Sequence, residues 1–277
     1  MLGLLWLIPA LPFASALVLM LSGSRFPRKA ATALGVGSIG ISAVVTILVA
    51  VSFFTAPPPD HSYTQLLWTW INVGGFNPEI ALRLDALSLV MVLVVTFVGF
   101  LIHVYSAEFM MEDEGYSRFF AYMNLFVASM ITLLLGDNLL LLMLGWEGVG
   151  LCSYLLIGFW YREPANGHAA RKAFVVTRVG DTLMLIGLML LFTQLGTLQI
   201  HELMQRASEH WPAGSGYAVA AALLLLGGAV GKSAQLPLQV WLPDAMAGPT
   251  PTSALIHAAT MVTAGARENS TCVRAIR

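Results

Sequence analysis

Charged residues are scarce in this sequence. Lysine and arginine together number 14 and aspartate and glutamate 15, so only 10% of the 277 residues are charged, compared with about 25% in soluble globular domains. Hydrophobic residues make up 57%, and the mean hydropathy is +0.77. This composition excludes an ordinary soluble domain and predicts a protein that lies largely within a lipid bilayer.

Cysteine is scarcer still, and basic clusters are missing. The two cysteines, Cys152 and Cys272, fit neither a disulfide framework nor the spacing of a metal site. No stretch combines basic residues with interleaved aromatics, so we expect no nucleic-acid partner. The first apolar segment has no basic residue before it and no small-residue cleavage site after it, which argues against a signal peptide.

Apolar runs long enough to cross a bilayer recur along the whole chain. One span needs about 18 or more residues, and eight segments meet this length. They cover residues 2–23, 30–55, 86–107, 118–136, 138–160, 173–195, 217–245 and 250–266. We therefore predict an all-α fold, a polytopic transmembrane helix bundle.

Basic residues are distributed unequally between the two sets of loops. The loops that hold Arg83 and Arg206 are poor in them. The richer loops carry Arg25, Arg28, Lys29, Arg118, Arg162, Arg171 and Lys172. Because cytoplasmic loops are enriched in lysine and arginine, we expect the N-terminus on the outer, periplasmic side of the inner membrane.

The chain divides into four predicted parts. Residues 1–56 hold two helices, and residues 57–85 have the strand-and-turn pattern of a β-hairpin on the outer membrane surface, with a turn at Gly74–Gly75. Residues 86–265 form the main bundle. Residues 266–277 are an abruptly polar tail that cuts the eighth span short. This ending predicts a break in a longer protein.

Two short motifs resemble nucleotide sites and are rejected. Gly35, Gly37 and Gly40 fit G-x-G-x-x-G, but that site requires a preceding strand and a soluble βαβ unit. Within a membrane span, such glycines instead let helices approach closely. Gly231-Lys232-Ser233 resembles the end of a P-loop, yet the required first glycine is replaced by Leu226. Neither motif predicts a nucleotide site.

Ionisable residues inside the predicted spans are the strongest functional signal. They are Glu147, Arg178, Asp181, Lys232 and His257. Placing an ionisable group inside a membrane span costs about 2.5–3.5 kcal/mol on insertion scales. Such a group therefore marks a functional site by default. Arg178 and Asp181 are three residues apart on one helical face. They therefore fit either a local ion pair that locks helix packing or a functional pair.

Glu147 and Lys232 have no such local partner. One interpretation is a structural salt bridge between the fifth and seventh spans, although a desolvated pair often stabilises less than apolar residues do. The functional interpretation is a proton site, in which Glu147 approaches or recedes from Lys232 and so controls its proton. Gly145, Gly148 and Gly150 leave room for another helix backbone beside Glu147.

Prolines interrupt the seventh span. Pro237 and Pro243 follow Lys232 closely, and a proline lacks the backbone donor that a helix interior needs. Broken helices mark ion sites in transporters, although a plain proline kink is the simpler alternative. His257, on the next segment, is suited to passing protons onward, but a lone histidine is more often a packed structural residue.

Several long strings resemble the antiporter-like membrane subunits of respiratory complex I. The match covers about residues 1–265, and the hairpin and first spans favour the chain 5 (L-type) branch over the M and N branches. The fifth-helix signature is LGWEGVGLCSYLLIGFW. The matching strings are residues 144–160, 172–181, 231–238, 241–246 and 248–262.

The resemblance implies a proton-translocating subunit of NADH:quinone oxidoreductase. It implies that Lys232 is the titrating site, that Glu147 modulates it, that Asp181 and Arg178 tune it, and that His257 leads onward. NADH, flavin, iron–sulfur clusters and quinone would be bound by partner subunits, with none in this chain. A chain M-like subunit would be the membrane neighbour.

Family members are about twice as long, so we expect that this chain does not pump protons alone. Two other interpretations remain open. One is a subunit of a multisubunit cation/proton antiporter, and the other is an inert truncation product.

Overall fold

A computed structural model describes residues 1–23, 26–58, 61–70, 78–212 and 214–260, and the side chains of residues 257–259 lie outside this description. Among these described residues, six helices are long and apolar enough to span a membrane. They are α1 (Leu7–Ser22, which a 3-10 turn at Leu2–Leu4 extends), α2 (Arg28–Thr55), α3 (Ala86–Phe109), α4 (Tyr116–Leu135), α5 (Leu139–Ile157) and α6 (Pro164–Leu195). They correspond to the first six predicted spans, which confirms a polytopic helical membrane bundle.

The seventh predicted span is broken, as the prolines indicate. After the surface helix α7 (Ile200–His210), helix α8 runs from Gly216 to Lys232 and ends there. Residues 233–249 form turns, with short 3-10 segments at Gln239–Trp241 and Asp244–Ala247. The predicted break within residues 217–245 is therefore confirmed, and it lies directly after Lys232, before the first proline.

The eighth predicted span is described only in its first part. It begins with a short helix, α9 (Thr250–Ser253), and continues as a π-helical segment, Ala254–Ala259. The predicted end at residue 266 and the polar tail 266–277 lie outside the described residues.

The predicted hairpin is present and rests on one end of the bundle. Strand β1 (Tyr63–Thr69) pairs antiparallel with β2 (Glu79–Leu84), with a bulge between Leu66 and Trp68. The predicted turn at residues 74–75 lies outside the described residues. Leu82 of β2 forms a bridge with Gly136, next to α4. We call this side of the bundle the hairpin end.

The connections at the hairpin end are tied together. Asn138 begins α5 by accepting a hydrogen bond from the Leu141 amide at 2.8 Å, and its own amide donates to the Glu79 carbonyl at 2.6 Å. Asn138 also forms a bridge with Gln199, just before α7. Helix α7, an amphipathic helix that buries Leu203 and Ala207, is not among the predicted elements. This end therefore holds the hairpin and the α4–α5 and α6–α7 connections.

At the opposite end, basic residues meet the remaining connections. Arg28, the first residue of α2, donates to the Met111 carbonyl beyond α3. The Arg118 guanidinium lies 4.7 Å from the Phe159 ring centroid and 4.9 Å from that of Tyr161. Arg162 and Glu114 form an exposed ion pair at 3.3 Å. Three of the basic residues singled out in the sequence, Arg28, Arg118 and Arg162, therefore lie on one side of the bundle.

Glycines set the closest helix contacts. A Cβ at Gly180 on α6 would lie 2.8 Å from the Gly227 carbonyl oxygen of α8, and one at Gly145 would lie 2.5 Å from the Leu133 amide nitrogen of α4. A Cβ at Gly35 or Gly40 would meet the ring of a phenylalanine on a neighbouring helix. The packing interpretation of the G-x-G-x-x-G string is therefore confirmed at these two glycines, because small residues let backbones approach.

Candidate proton-transfer site

A fully buried ion pair lies halfway along the longest helix. Lys232 is 0% exposed and Asp181 is 1% exposed, and Lys232 Nζ lies 3.3 Å from Asp181 Oδ2. Helix α6 has 32 residues, about 48 Å at 1.5 Å per residue, and Asp181 lies near its centre. The hydrocarbon core of a bilayer is about 30 Å thick. A hydrocarbon core centred on α6 would therefore enclose the pair.

The helices that carry this pair touch through glycine. Gly231 on α8 packs against Gly180 on α6, where an added Cβ would lie 3.2 Å from the Gly180 Cα. The next residue on each helix is Lys232 and Asp181. Close contact between the two backbones thus brings the two charged side chains together.

The ion pair continues into a chain of four charges that alternate in sign. Arg178 Nη1 donates to Glu147 Oε2 of α5, and Arg178 Nε lies 3.9 Å from Asp181 Oδ2. The order is therefore Glu147, Arg178, Asp181, Lys232, with no net formal charge. Glu147 lies near the middle of α5, as Asp181 lies near the middle of α6.

This arrangement corrects two expectations about pairing. The predicted local pair between Arg178 and Asp181 is wide, because Arg178 turns toward Glu147 on the neighbouring helix. The alternative of a direct structural bridge between Glu147 and Lys232 is not what the structure has, since the acid beside Lys232 is Asp181. The physical reason is helix packing, which brings α8 onto α6 and places Arg178 between the two acids.

The two ends of the chain of charges differ in exposure. The Arg178 and Glu147 side chains are 38% and 29% exposed, whereas those of Lys232 and Asp181 are closed off. The Arg178 guanidinium also lies 4.6 Å from the Phe174 ring centroid. Arg178 thus lies at the more exposed end of the chain of charges, within reach of two carboxylates.

Three neighbouring residues, missed as site residues by sequence reasoning, shape the surroundings of Lys232. Trp146 donates its indole N–H to Asp181 Oδ1 at 2.7 Å. A Cβ at Gly150 would lie 2.5 Å from Lys232 Nζ, so this glycine leaves room for the ammonium group. Trp241 donates to the Gly231 carbonyl at 3.0 Å, next to the end of α8.

Comparison with known proteins places this arrangement in a family. Residues 136–273 match the family model described as NADH:quinone oxidoreductase/Mrp antiporter, TM. Residues 70–120 match the model of the NADH-ubiquinone oxidoreductase (complex I) chain 5 N-terminus. The chain belongs to this NADH:quinone oxidoreductase/Mrp antiporter membrane family. The family resemblance of the sequence strings is thereby confirmed.

Similar proteins within the family include curated subunits from several bacteria. The chain is 58% identical over 92% of its length to NADH-quinone oxidoreductase subunit L of Escherichia coli (strain K12), of which it covers 41%. It is 46% identical over 94% of its length to subunit L of Mycobacterium tuberculosis (strain ATCC 25618 / H37Rv), of which it covers 40%. The chain thus spans about two fifths of these relatives.

A solved family structure has the same fold. The Mrp complex from Dietzia sp. DQ12-45-1b contains a chain that matches 95% of this one with a TM-score of 0.81 and 31% identity, and 27% of that chain is covered. The helical bundle is therefore a fold that this chain shares with a chain of that complex.

Two histidines also lie within the predicted membrane spans. His257 lies in the π-helical segment Ala254–Ala259, and its side chain lies outside the described residues. His103 on α3 is fully buried and was missed by the sequence analysis. Its Nδ1 lies 2.7 Å from the Gly99 carbonyl, so this nitrogen carries the hydrogen. The signal for His103 was the same as for Lys232, an ionisable residue within an apolar span.

In the part of the chain that the structure describes, no group of three or more histidine, cysteine, aspartate or glutamate side chains is placed to hold a metal ion. The site consists of two acidic and two basic side chains whose charges alternate in sign.

Proposed function

We propose that this chain is the first half of a proton-translocating membrane subunit of NADH:quinone oxidoreductase, a translocase. The observation that carries the proposal is the buried Lys232–Asp181 pair, linked through Arg178 to Glu147. An ionisable chain of this kind is costly inside a membrane and has a function by default. The similarity to curated subunit L proteins supports the same proposal.

The geometry suggests how the proton is controlled. With Arg178 bound to Glu147, Asp181 is the counter-ion that holds Lys232 in its charged form. If Arg178 turns to Asp181, only 3.9 Å away, the carboxylate is neutralised by arginine and Lys232 loses its stabilisation. Two unit charges 3.3 Å apart attract with a gross energy of about 5 kcal/mol at an effective dielectric constant of 20. Losing part of this attraction favours release of the proton.

The remaining roles follow from the family and from the bundle. Lys232 is the titrating site, Glu147 and Asp181 are the alternative anchors of Arg178, and His257 passes the proton onward. NADH, flavin, iron–sulfur clusters and quinone are bound by partner subunits, and a chain M-like subunit is the membrane neighbour. We place the hairpin end on the outer side of the inner membrane, because basic residues collect at the opposite end.

The test is proton uptake by membrane vesicles during NADH oxidation. Glu147→Gln and Lys232→Ala, made in the subunit within its complex, should each lower proton uptake by about tenfold or more while the complex still assembles. Glu147→Gln removes the anchor of Arg178, and Lys232→Ala removes the carrier. Normal proton uptake in both variants would disprove the assigned roles.

A second candidate function is a subunit of a cation/proton antiporter. The observation that favours it is the likeness to the Mrp complex, with a TM-score of 0.81. The two functions differ in their driving force. NADH-driven proton uptake that is lost in Lys232→Ala supports the oxidoreductase, whereas loss of sodium efflux without any change in NADH-driven uptake supports the antiporter.

A further inference from the structure

Trp146 donates a hydrogen bond to Asp181 that has no part in the proposed proton transfer. Its ring is fully buried, and its indole Nε1 lies 2.7 Å from Asp181 Oδ1. The centroid of the same ring lies 6.0 Å from Lys232 Nζ. A buried indole N–H is satisfied by many acceptors, yet this one is directed at the single carboxylate that pairs with the buried lysine.

The bond divides the two oxygens of Asp181 between different partners. Oδ1 accepts from Trp146, and Oδ2 faces both cations, with Lys232 Nζ at 3.3 Å and Arg178 Nε at 3.9 Å. An ionised carboxylate has about four lone-pair sites on its two oxygens. The indole N–H takes one site on Oδ1 and holds the carboxylate so that Lys232 and Arg178 both lie nearest to Oδ2.

We infer that Trp146 is a positioning residue that makes Lys232 and Arg178 compete for one oxygen of Asp181. The inference rests on the proposed function and adds the element that makes the exchange of partners exclusive. When Arg178 arrives at Oδ2, Lys232 is displaced and releases its proton. Without the indole donor, Arg178 takes Oδ1, Lys232 keeps Oδ2, and the proton stays bound.

The helix that carries Trp146 makes this role geometrically consistent. Gly150 is four residues further along α5 and thus on the same face, and it leaves space for Lys232 Nζ. One face of α5 therefore presents both the donor for Asp181 and the space for the ammonium. Glu147, the neighbour of Trp146 in sequence, accepts a hydrogen bond from Arg178 Nη1.

The chain contains a matched control for this hydrogen bond. Trp160 also donates its indole N–H to an aspartate, with Nε1 2.9 Å from Asp113 Oδ2. That bond is exposed and lies at the opposite end of the bundle, away from Lys232. The substitutions Trp146→Phe and Trp160→Phe therefore remove the same chemical contact at two places, only one of which has the proposed role.

The first experiment measures NADH-driven proton uptake by vesicles that contain the whole complex. We expect about a tenfold loss in Trp146→Phe and no change in Trp160→Phe. In an Asp181→Asn background, Trp146→Phe should add nothing further, because both substitutions act through one contact. Equal rates in Trp146→Phe and the unsubstituted complex, or independent effects in the double variant, would overturn the inference.

A second measurement separates this inference from the proposed function and needs no change at Trp146. In protein labelled with 15N-tryptophan, the indole N–H resonance of Trp146 should move in Asp181→Asn, while that of Trp160 stays in place. If the chemical shift of the Trp146 indole N–H is the same in Asp181→Asn as in the unsubstituted protein, the inference is wrong, even when Lys232→Ala abolishes proton uptake. Conversely, a responsive resonance together with normal proton uptake in Lys232→Ala overturns the proposed function instead.

Discussion

Gly150→Ala is the smallest substitution that disturbs the buried ion pair directly. The added Cβ would lie 2.5 Å from Lys232 Nζ and 3.9 Å from its Cε. An ordinary contact begins at about 3.4 Å, so the ammonium must recede by about 0.9 Å or the helices must separate, since a close-packed interior has no spare volume. The flexible lysine side chain gives way more easily than the backbone.

The size of the effect follows from the ion-pair distance. A recession of about 0.9 Å directed away from Asp181 lengthens the 3.3 Å contact to about 4.2 Å. At an effective dielectric constant of 20, the attraction falls from about 5 to about 4 kcal/mol. A loss of about 1 kcal/mol corresponds to roughly a fivefold change in an equilibrium constant. We therefore expect proton uptake to change by about fivefold in Gly150→Ala.

The assay compares three glycine-to-alanine variants in vesicles that oxidise NADH. Gly37→Ala on α2 is the control, because nothing lies within 4 Å of its added Cβ. Gly145→Ala meets the Leu133 backbone on α4 and should reduce assembly of the complex. Gly150→Ala should assemble normally and alter proton uptake. If proton uptake in Gly150→Ala equals that in Gly37→Ala, displacing the Lys232 ammonium does not affect proton transfer.

Two further predictions concern stability and the hairpin end. Gly180→Ala would place a Cβ 2.8 Å from the Gly227 carbonyl oxygen, so we expect destabilisation by about 1–3 kcal/mol, measured by thermal unfolding in detergent against Gly167→Ala, whose Cβ meets nothing within 4 Å. At the hairpin end, the hydrogen bond from Thr197 lowers the pKa of Glu202. This carboxylate therefore stabilises the fold above its unfolded pKa of about 4.3, and the contribution is lost as the pH falls through the folded pKa. Thr197→Val should raise that pKa in a carbon-13 titration of the carboxyl group, and an unchanged titration would show that this hydrogen bond is unimportant.

The sequence predicts the spans well because hydrophobic length is a local property. The first six predicted segments correspond to α1–α6, and the hairpin lies where β-branched and aromatic residues cluster before Gly74–Gly75. The break after Lys232 is also local, since prolines remove backbone donors. Boundaries were less accurate. Helix α6 begins at Pro164, nine residues before the predicted span, because the amphipathic first turns are helical without being apolar.

The pairing of charges could not be predicted from spacing alone. Arg178 and Asp181 are close in sequence, yet Arg178 binds Glu147 on another helix. The partner of Lys232 is set by the contact between Gly180 and Gly231, a tertiary feature. The role of Trp146 could not be predicted for the same reason, because the sequence does not show that the indole N–H of a tryptophan in an apolar helix contacts a carboxylate on another helix.

We propose that the buried Lys232 carries the transported proton. The most direct measurement is the number of protons taken up per NADH oxidised, compared between Lys232→Ala and Lys172→Ala. Lys172 also pairs with an aspartate, with Nζ 2.6 Å from Asp244 Oδ2, but both side chains are nearly half exposed. We expect fewer protons taken up per NADH oxidised in Lys232→Ala and an unchanged number in Lys172→Ala. An equal ratio in the two variants would contradict it.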